Sequence, residues 1–169
     1  MPTLLAFPAS GLLVHSILGS INDAVEAVVG GVLVGLLTGS AQFFSLRKFG
    51  VTSLWIAGSA FAASLGAFIV IQVWGTGTST TSLTRNGLVV GLLVGFLQAA
   101  SQRLNGINIA GWTIASAVSW GVAWLITANV IVDRDEGYAI FGSSGALVAT
   151  VILGVTAIPI LVNRASQEI

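Results

Sequence analysis

Residues 31–47, GVLVGLLTGSAQFFSLR, return 56 positions later as residues 87–103, GLVVGLLVGFLQAASQR. Both copies read G-x3-G-x3-G-x2-Q-x4-R, through Gly31, Gly35, Gly39, Gln42 and Arg47, then Gly87, Gly91, Gly95, Gln98 and Arg103. Each is an apolar run that ends at its arginine. On a helix, positions i, i+4, i+8 and i+11 fall within about 80° of one another at 100° per residue. The three glycines and the glutamine therefore form one stripe. In lipid, apolar side chains gain little by leaving their surroundings, so close backbone contact across small residues drives helix association. The pattern predicts membrane helices, present in duplicate and packed through glycine faces.

The rest of the chain agrees. Of 169 residues, 55% are hydrophobic and 7% are charged, whereas a soluble domain carries roughly 25% charged residues. Residues 51–74 and 105–132 contain no charge. A run of about 18 apolar residues is long enough to cross the ~30 Å hydrocarbon layer as a helix. The two-residue alternation of a transmembrane barrel is absent. Spans are expected at residues 28–46, 54–74, 87–102, 109–132 and 139–162. A further candidate, residues 4–21, carries Pro8, Ser10 and His15, and either spans or lies in the interface. The expected fold is an all-α, polytopic transmembrane helical bundle. It has six helices, or five plus one interfacial, with a parallel internal hairpin repeat. Residues 1–169 form a single transmembrane domain. Repeat 1 covers about 27–75, repeat 2 about 83–132, and a partial third copy 139–162. The third copy keeps Gly142, Gly145 and Ala149 but has no matching glutamine.

Loops alternate in charge. Arg47, Lys48, Arg103 and Arg164 fall on one side; Arg85 and Arg134 fall on the other, with Asp23, Glu26, Asp133, Asp135 and Glu136. The positive-inside rule puts the first set, and the C-terminus, in the cytoplasm. The first basic residue is Arg47, so the N-terminal segment lacks the positive region of a secretory signal and is expected to stay in the mature protein.

Further small-residue stripes are read at Gly58–Ala62–Gly66, Gly111–Ala115–Ser119 and Ala146–Thr150–Gly154. The polar intramembrane candidates are Gln42, Gln98 and His15. Each glutamine lies about 7–8 Å inside its arginine at 1.5 Å per residue. It either holds the hairpins in register or lines a polar cavity mouth with Ser40, Ser59, Thr113 and Ser116. His15, the single histidine, is a candidate axial ligand to a haem or chlorophyll-like pigment or, more simply, a packing residue. No second histidine or cysteine could complete a metal site with it. Trp55, Trp74 and Trp112 fall near expected span ends, where aromatic belts lie; Trp120 and Trp124 lie deeper. The Gly/Thr/Ser stretch at 75–82 reads as a flexible outer loop.

No charged residue falls in the expected hydrocarbon region, and there is no nucleophile, zinc or phosphate-loop motif. Neither catalysis nor a metal or other cofactor is expected. Zero net charge leaves no footprint for nucleic acid. The tryptophan-bearing helix that follows each glycine helix completes a pattern that resembles hairpin repeats of uncharacterised bacterial multi-pass membrane proteins, over about 100 residues. The resemblance implies a bacterial origin and a helical hairpin repeat, without an activity or residue roles. The expected function is a non-catalytic integral membrane protein, self-associating or an accessory subunit of a membrane complex. The alternatives are a small uncoupled channel or carrier, and a pigment- or haem-binding subunit. Expected partners are the lipid bilayer and either further copies or a partner membrane subunit. The expected location is the bacterial inner (plasma) membrane or an internal photosynthetic membrane.

Overall fold

A computed structural model describes residues 2–130 and 140–165. The described residues form six α-helices: α1 Pro2–Leu18, α2 Ala24–Leu46, α3 Leu54–Trp74, α4 Thr80–Ser101, α5 Gly106–Asn129 and α6 Ser143–Ala165. A 3₁₀ turn, Arg47–Phe49, follows α2. Five helices, α2 to α6, are long and apolar enough to cross a membrane. This is the architecture of a multi-pass integral membrane protein.

Local chemistry sets the helix ends. At α2, Asp23 accepts a hydrogen bond from the Glu26 N–H at 2.8 Å, and Glu26 accepts one from the Asn22 N–H at 2.7 Å. These two bonds, close to a capping box, satisfy two backbone donors that have no partner within the helix. Ser79 caps α4 and Asn105 caps α5 through the N–H groups of Ser82 and Asn108. Gly19 and Gly75, with φ of 69° and 71°, take left-handed backbone and close α1 and α3.

α2 and α5 start four and three residues ahead of expectation, at Ala24 and Gly106, α5 ends three residues early, at Asn129, and the last helix runs three residues further, to Ala165. Three further differences have a local cause. The first helix covers Pro2–Leu18 rather than 4–21, because Gly19 turns the chain and its N–H bonds the His15 carbonyl at 2.8 Å. Pro8 consequently stands inside the helix. α4 starts at Thr80, seven residues ahead of expectation, since Ser79 supplies a cap and the polar first turns stay helical. α6 starts at Ser143, and Ile140 and Phe141 are buried ahead of it in a non-helical segment. The loop charges Asp133, Arg134, Asp135 and Glu136, and the span ends at 132 and 139, lie outside the described residues.

Each helix packs against its neighbours in sequence, and α1 packs against α6, so the six close a ring. The tightest contacts lie within the pairs α2–α3 and α4–α5. Large apolar side chains face outward all round, among them Leu36, Phe44, Phe61, Leu92, Phe96 and Val155. So much exposed apolar surface requires lipid rather than water. The buried core holds Trp55, Trp112, Trp120, Phe7 and Phe141. Phe141 contacts the Phe7, Trp120 and Trp124 rings at centroid distances of 4.7, 5.4 and 6.2 Å. The ring closure is therefore stapled by aromatic contacts at its seam.

Candidate functional site

The glycines set how closely the helices approach. A Cβ built on Gly31 would stand 2.6 Å from Ser64 Cα, and one on Gly39 2.7 Å from Ser59 Cβ. At Gly35 it would strike the Ser59 carbonyl oxygen and stand 2.5 Å from Ala60 Cα. In the second pair, a Cβ on Gly87 would stand 2.7 Å from the Trp120 oxygen. One on Gly91 would stand 2.7 Å from the Ser116 oxygen, and one on Gly95 2.6 Å from Ser116 Cβ. Only residues without a side chain fit at these six positions. Gly58 and Gly66 face α4 less tightly, at 3.2 Å from the Leu97 oxygen and 3.1 Å from Val90 Cα. Gly145 packs back onto α5, against Thr127 and Ala123, whereas Gly31 and Gly87 pack forward onto the next helix. Gly111 is exposed, and a Cβ there would reach only Ile160 Cδ1, at 3.8 Å. A Cβ on Gly154 would meet nothing within 4 Å.

This approach brings the two glutamines together. Gln98 Nε2 donates to Gln42 Oε1 at 2.8 Å and lies equally close to Ser59 Oγ. Trp55 Nε1 donates to Gln42 Oε1 at 3.0 Å, and Trp112 Nε1 donates to Gln98 Oε1 at 3.0 Å. The Ser59 hydroxyl donates to the Trp55 carbonyl at 2.7 Å. The two indole rings sit 5.4 Å apart, tilted by 56°. All five side chains are buried, with Gln98 and Ser59 at 1% exposure. Four helices, α2 to α5, thus meet in one neutral hydrogen-bonded cluster. A few residues nearer the Arg47–Arg103 end, Gln102 Oε1 accepts the Thr52 N–H at 2.8 Å and ties α4 to the loop before α3.

Trp55 and Trp112 are not belt residues. They point into the core, at 1% and 3% exposure, because an indole N–H in an apolar interior requires an acceptor and the glutamines supply two. Trp74 is the exposed one of that set, and the Arg85 guanidinium stacks over its ring at 4.4 Å. His15 is exposed on the last turn of α1. Of the polar residues that accompany the glutamines in the sequence reading, Ser59 joins the cluster. Ser116 is buried with its hydroxyl unpartnered, as is the Thr113 hydroxyl, and Ser40 is half-buried.

Toward the opposite end of the ring lies a cavity of about 400 Å³. Val34, Ala63, Val90 and Trp120 line its body. Its mouth lies among the α1–α2 and α3–α4 loops, at Gly19, Ser20 and Gly75 to Thr78, with Asn86 and Thr127 beside them. No charged side chain is among the lining residues. The cavity shares Gly31 and Val34 with the face of α2 that carries Gln42 two to three turns further along. Sequence reading missed it. Its walls are mostly apolar residues whose spacing signals packing, and it forms where α2 to α5 meet three loops.

Among the described residues, no group of three or more histidine, aspartate or glutamate side chains comes together. No protein-family model, no curated protein and no solved structure matches the chain.

Proposed function

We propose that this chain is a non-catalytic membrane protein that holds a small ligand in a one-ended cavity, with the glutamine–tryptophan cluster as the floor lock. The cavity carries this reading: an open-mouthed void of about 400 Å³ lined by residues of four helices and three loops. The cluster supports a structural rather than a chemical role. Ser59 both donates and accepts, so nothing activates it as a nucleophile, and no titratable group joins it.

The two hairpins, α2–α3 and α4–α5, are read as copies of one unit. Contacts that recur at a shift of 56 or 57 residues support this: Gly35 on Ser59 with Gly91 on Ser116, and Trp55 to Gln42 with Trp112 to Gln98. The end that carries Arg47, Lys48 and Arg103 is assigned to the cytoplasm on its basic residues, which opens the cavity to the opposite side.

Single cysteines test the reading directly, because the chain has none of its own. Ala67→Cys, on the cavity wall, should react with a membrane-impermeant methanethiosulfonate added to the cavity side of oriented proteoliposomes. Thr38→Cys, buried one turn beyond Val34, should stay unreactive from both sides. Reaction of Thr38→Cys from the arginine side would replace the closed pocket with a carrier or channel. An inert Ala67→Cys would overturn the pocket.

A further inference from the structure

We infer that the ligand of this cavity is a neutral, flat aromatic molecule that fills the space left where one hairpin carries alanines and the other tryptophans; the inference rests on the pocket and the repeat proposed above. The recurring contacts, at a shift of 56 residues from α2 to α4 and 57 from α3 to α5, match lining residues of the two hairpins one to one. Val34 matches Val90, Ala63 matches Trp120 and Ala67 matches Trp124, and all six line the cavity. Close contacts fix this register. A Cβ built on Gly31 would stand 2.8 Å from the Ala63 oxygen, as one on Gly87 would stand 2.7 Å from the Trp120 oxygen. The hairpins therefore reach the cavity with unequal bulk. In the second, two indole rings fill the wall, and Phe141 packs on both, at centroid distances of 5.4 and 6.2 Å. In the first, the matching side chains end at Cβ. One matched pair runs the other way, Ile71 against Ala128, but a single isoleucine does not make up for two indoles. The void stands in the place of the missing rings.

The lining sets the remaining chemistry. With no charged side chain on the wall, an ionised ligand would lose its hydration without compensation, which is far costlier than burying a neutral group. Trp124 is half-buried and lines the cavity. An aromatic ligand beside it gains an offset-stacked or edge-to-face pair in addition to its buried area, while Ala63 and Ala67 leave depth for a ring. Thr76, Thr78 and Asn86 near the mouth can meet one polar substituent. A cavity of about 150 Å³ holds benzene, so about 400 Å³ holds a fused pair of rings on the same scale.

Three probes separate these claims: naphthalene, which is flat; decalin, its saturated and puckered counterpart; and 2-naphthoate, which is flat but charged. Their binding to the full chain in nanodiscs is measured by calorimetry against empty nanodiscs, so that partition into lipid is subtracted. The expected result is saturable binding of one naphthalene per chain. Decalin should bind about fivefold more weakly, as the loss of one aromatic pair predicts, and 2-naphthoate should show no saturable binding. Ala67→Trp supplies one of the missing rings. It should abolish naphthalene binding and leave the thermal midpoint undiminished, whereas a tryptophan forced into a filled interior would lower the midpoint by about 2–12 °C. Equal binding of naphthalene and decalin to the unaltered chain would overturn the aromatic class, and saturable binding of 2-naphthoate would overturn the neutral class. A midpoint lowered by that amount, or naphthalene binding that survives in Ala67→Trp, would overturn the vacated ring space. If no probe binds while Ala67→Cys still reacts from the cavity side, the pocket stands and the ligand class falls. If Ala67→Cys is inert, the pocket itself falls.

Discussion

Replacing Gln98 with leucine keeps a side chain of similar bulk but removes three hydrogen bonds: from Trp112, to Gln42 and to Ser59. Hydrogen bonds between membrane helices contribute about 0.6 kcal/mol on average and up to about 1.7 kcal/mol. Gln98→Leu should therefore cost about 2–5 kcal/mol. Gln42→Leu removes two bonds, from Trp55 and Gln98, and should cost about 1–3 kcal/mol on the same scale. The cluster has four bonds of this kind in all, while the two single variants together count five, because the Gln42–Gln98 bond is lost in each. The double variant should thus be less damaging than the sum by that shared bond, about 0.6–1.7 kcal/mol. The assay is reversible unfolding in mixed micelles, driven by sodium dodecyl sulfate and followed by far-ultraviolet circular dichroism, for all four members of the cycle. Residues without a shared partner add to within about 0.5 kcal/mol. Additivity of that quality would refute the direct contact between Gln42 and Gln98, and with it the cluster as the link between hairpins.

Other perturbations test separate parts of the account. Gly35→Ala drives a Cβ into the backbone of α3 and should destabilise by about 1–3 kcal/mol. Gly154→Ala, where a Cβ meets nothing, should instead stabilise by about 0.5–1 kcal/mol through helix propensity; equal effects in the same unfolding assay would contradict the packing. Phe141→Ala empties the aromatic seam between α1, α5 and α6 and should cost about 3–5 kcal/mol. Trp74→Leu removes the ring beneath Arg85 and should cost no more than about 1 kcal/mol, as a partly exposed cation–π contact does. Lys48→Cys and Thr78→Cys should react with an impermeant maleimide from opposite faces of intact cells, with Lys48→Cys on the cytoplasmic side.

The fold was legible where hydropathy and spacing act locally. The stretches that become α2, α3 and α5 are long, apolar and bounded by charge or glycine, so their existence and approximate limits follow from the residues. α4 was harder to delimit, since residues 80–86 are polar and their helical state depends on the Ser79 cap and on Arg85 resting over Trp74. The six tight glycines were legible as a stripe, but their partners were not, because the pairing of one backbone with another is a tertiary fact. Gly111 shows the limit of the pattern: it has the right spacing and faces outward. The largest misreading concerned Trp55 and Trp112. A tryptophan near a helix end reads as an interfacial anchor, and nothing local reveals that its N–H reaches a glutamine 13 or 14 residues earlier on the preceding helix. The cavity arises where α2 to α5 meet, and the contact between α1 and α6 from ring closure; neither has a sequence signal of its own.

The most direct test is the exchange of the tryptophan indole protons. The chain has five tryptophans, so ¹⁵N-indole labelling in nanodiscs gives a spectrum simple enough to assign by single replacements. The account predicts that the Trp55 and Trp112 N–H signals exchange with D₂O far more slowly than that of exposed Trp74. Trp55 should be the signal released by Gln42→Leu, and Trp112 the signal released by Gln98→Leu. If Trp55 and Trp112 exchange as fast as Trp74, or if neither responds to its own glutamine, the hydrogen-bonded cluster that joins α2 to α5 does not exist.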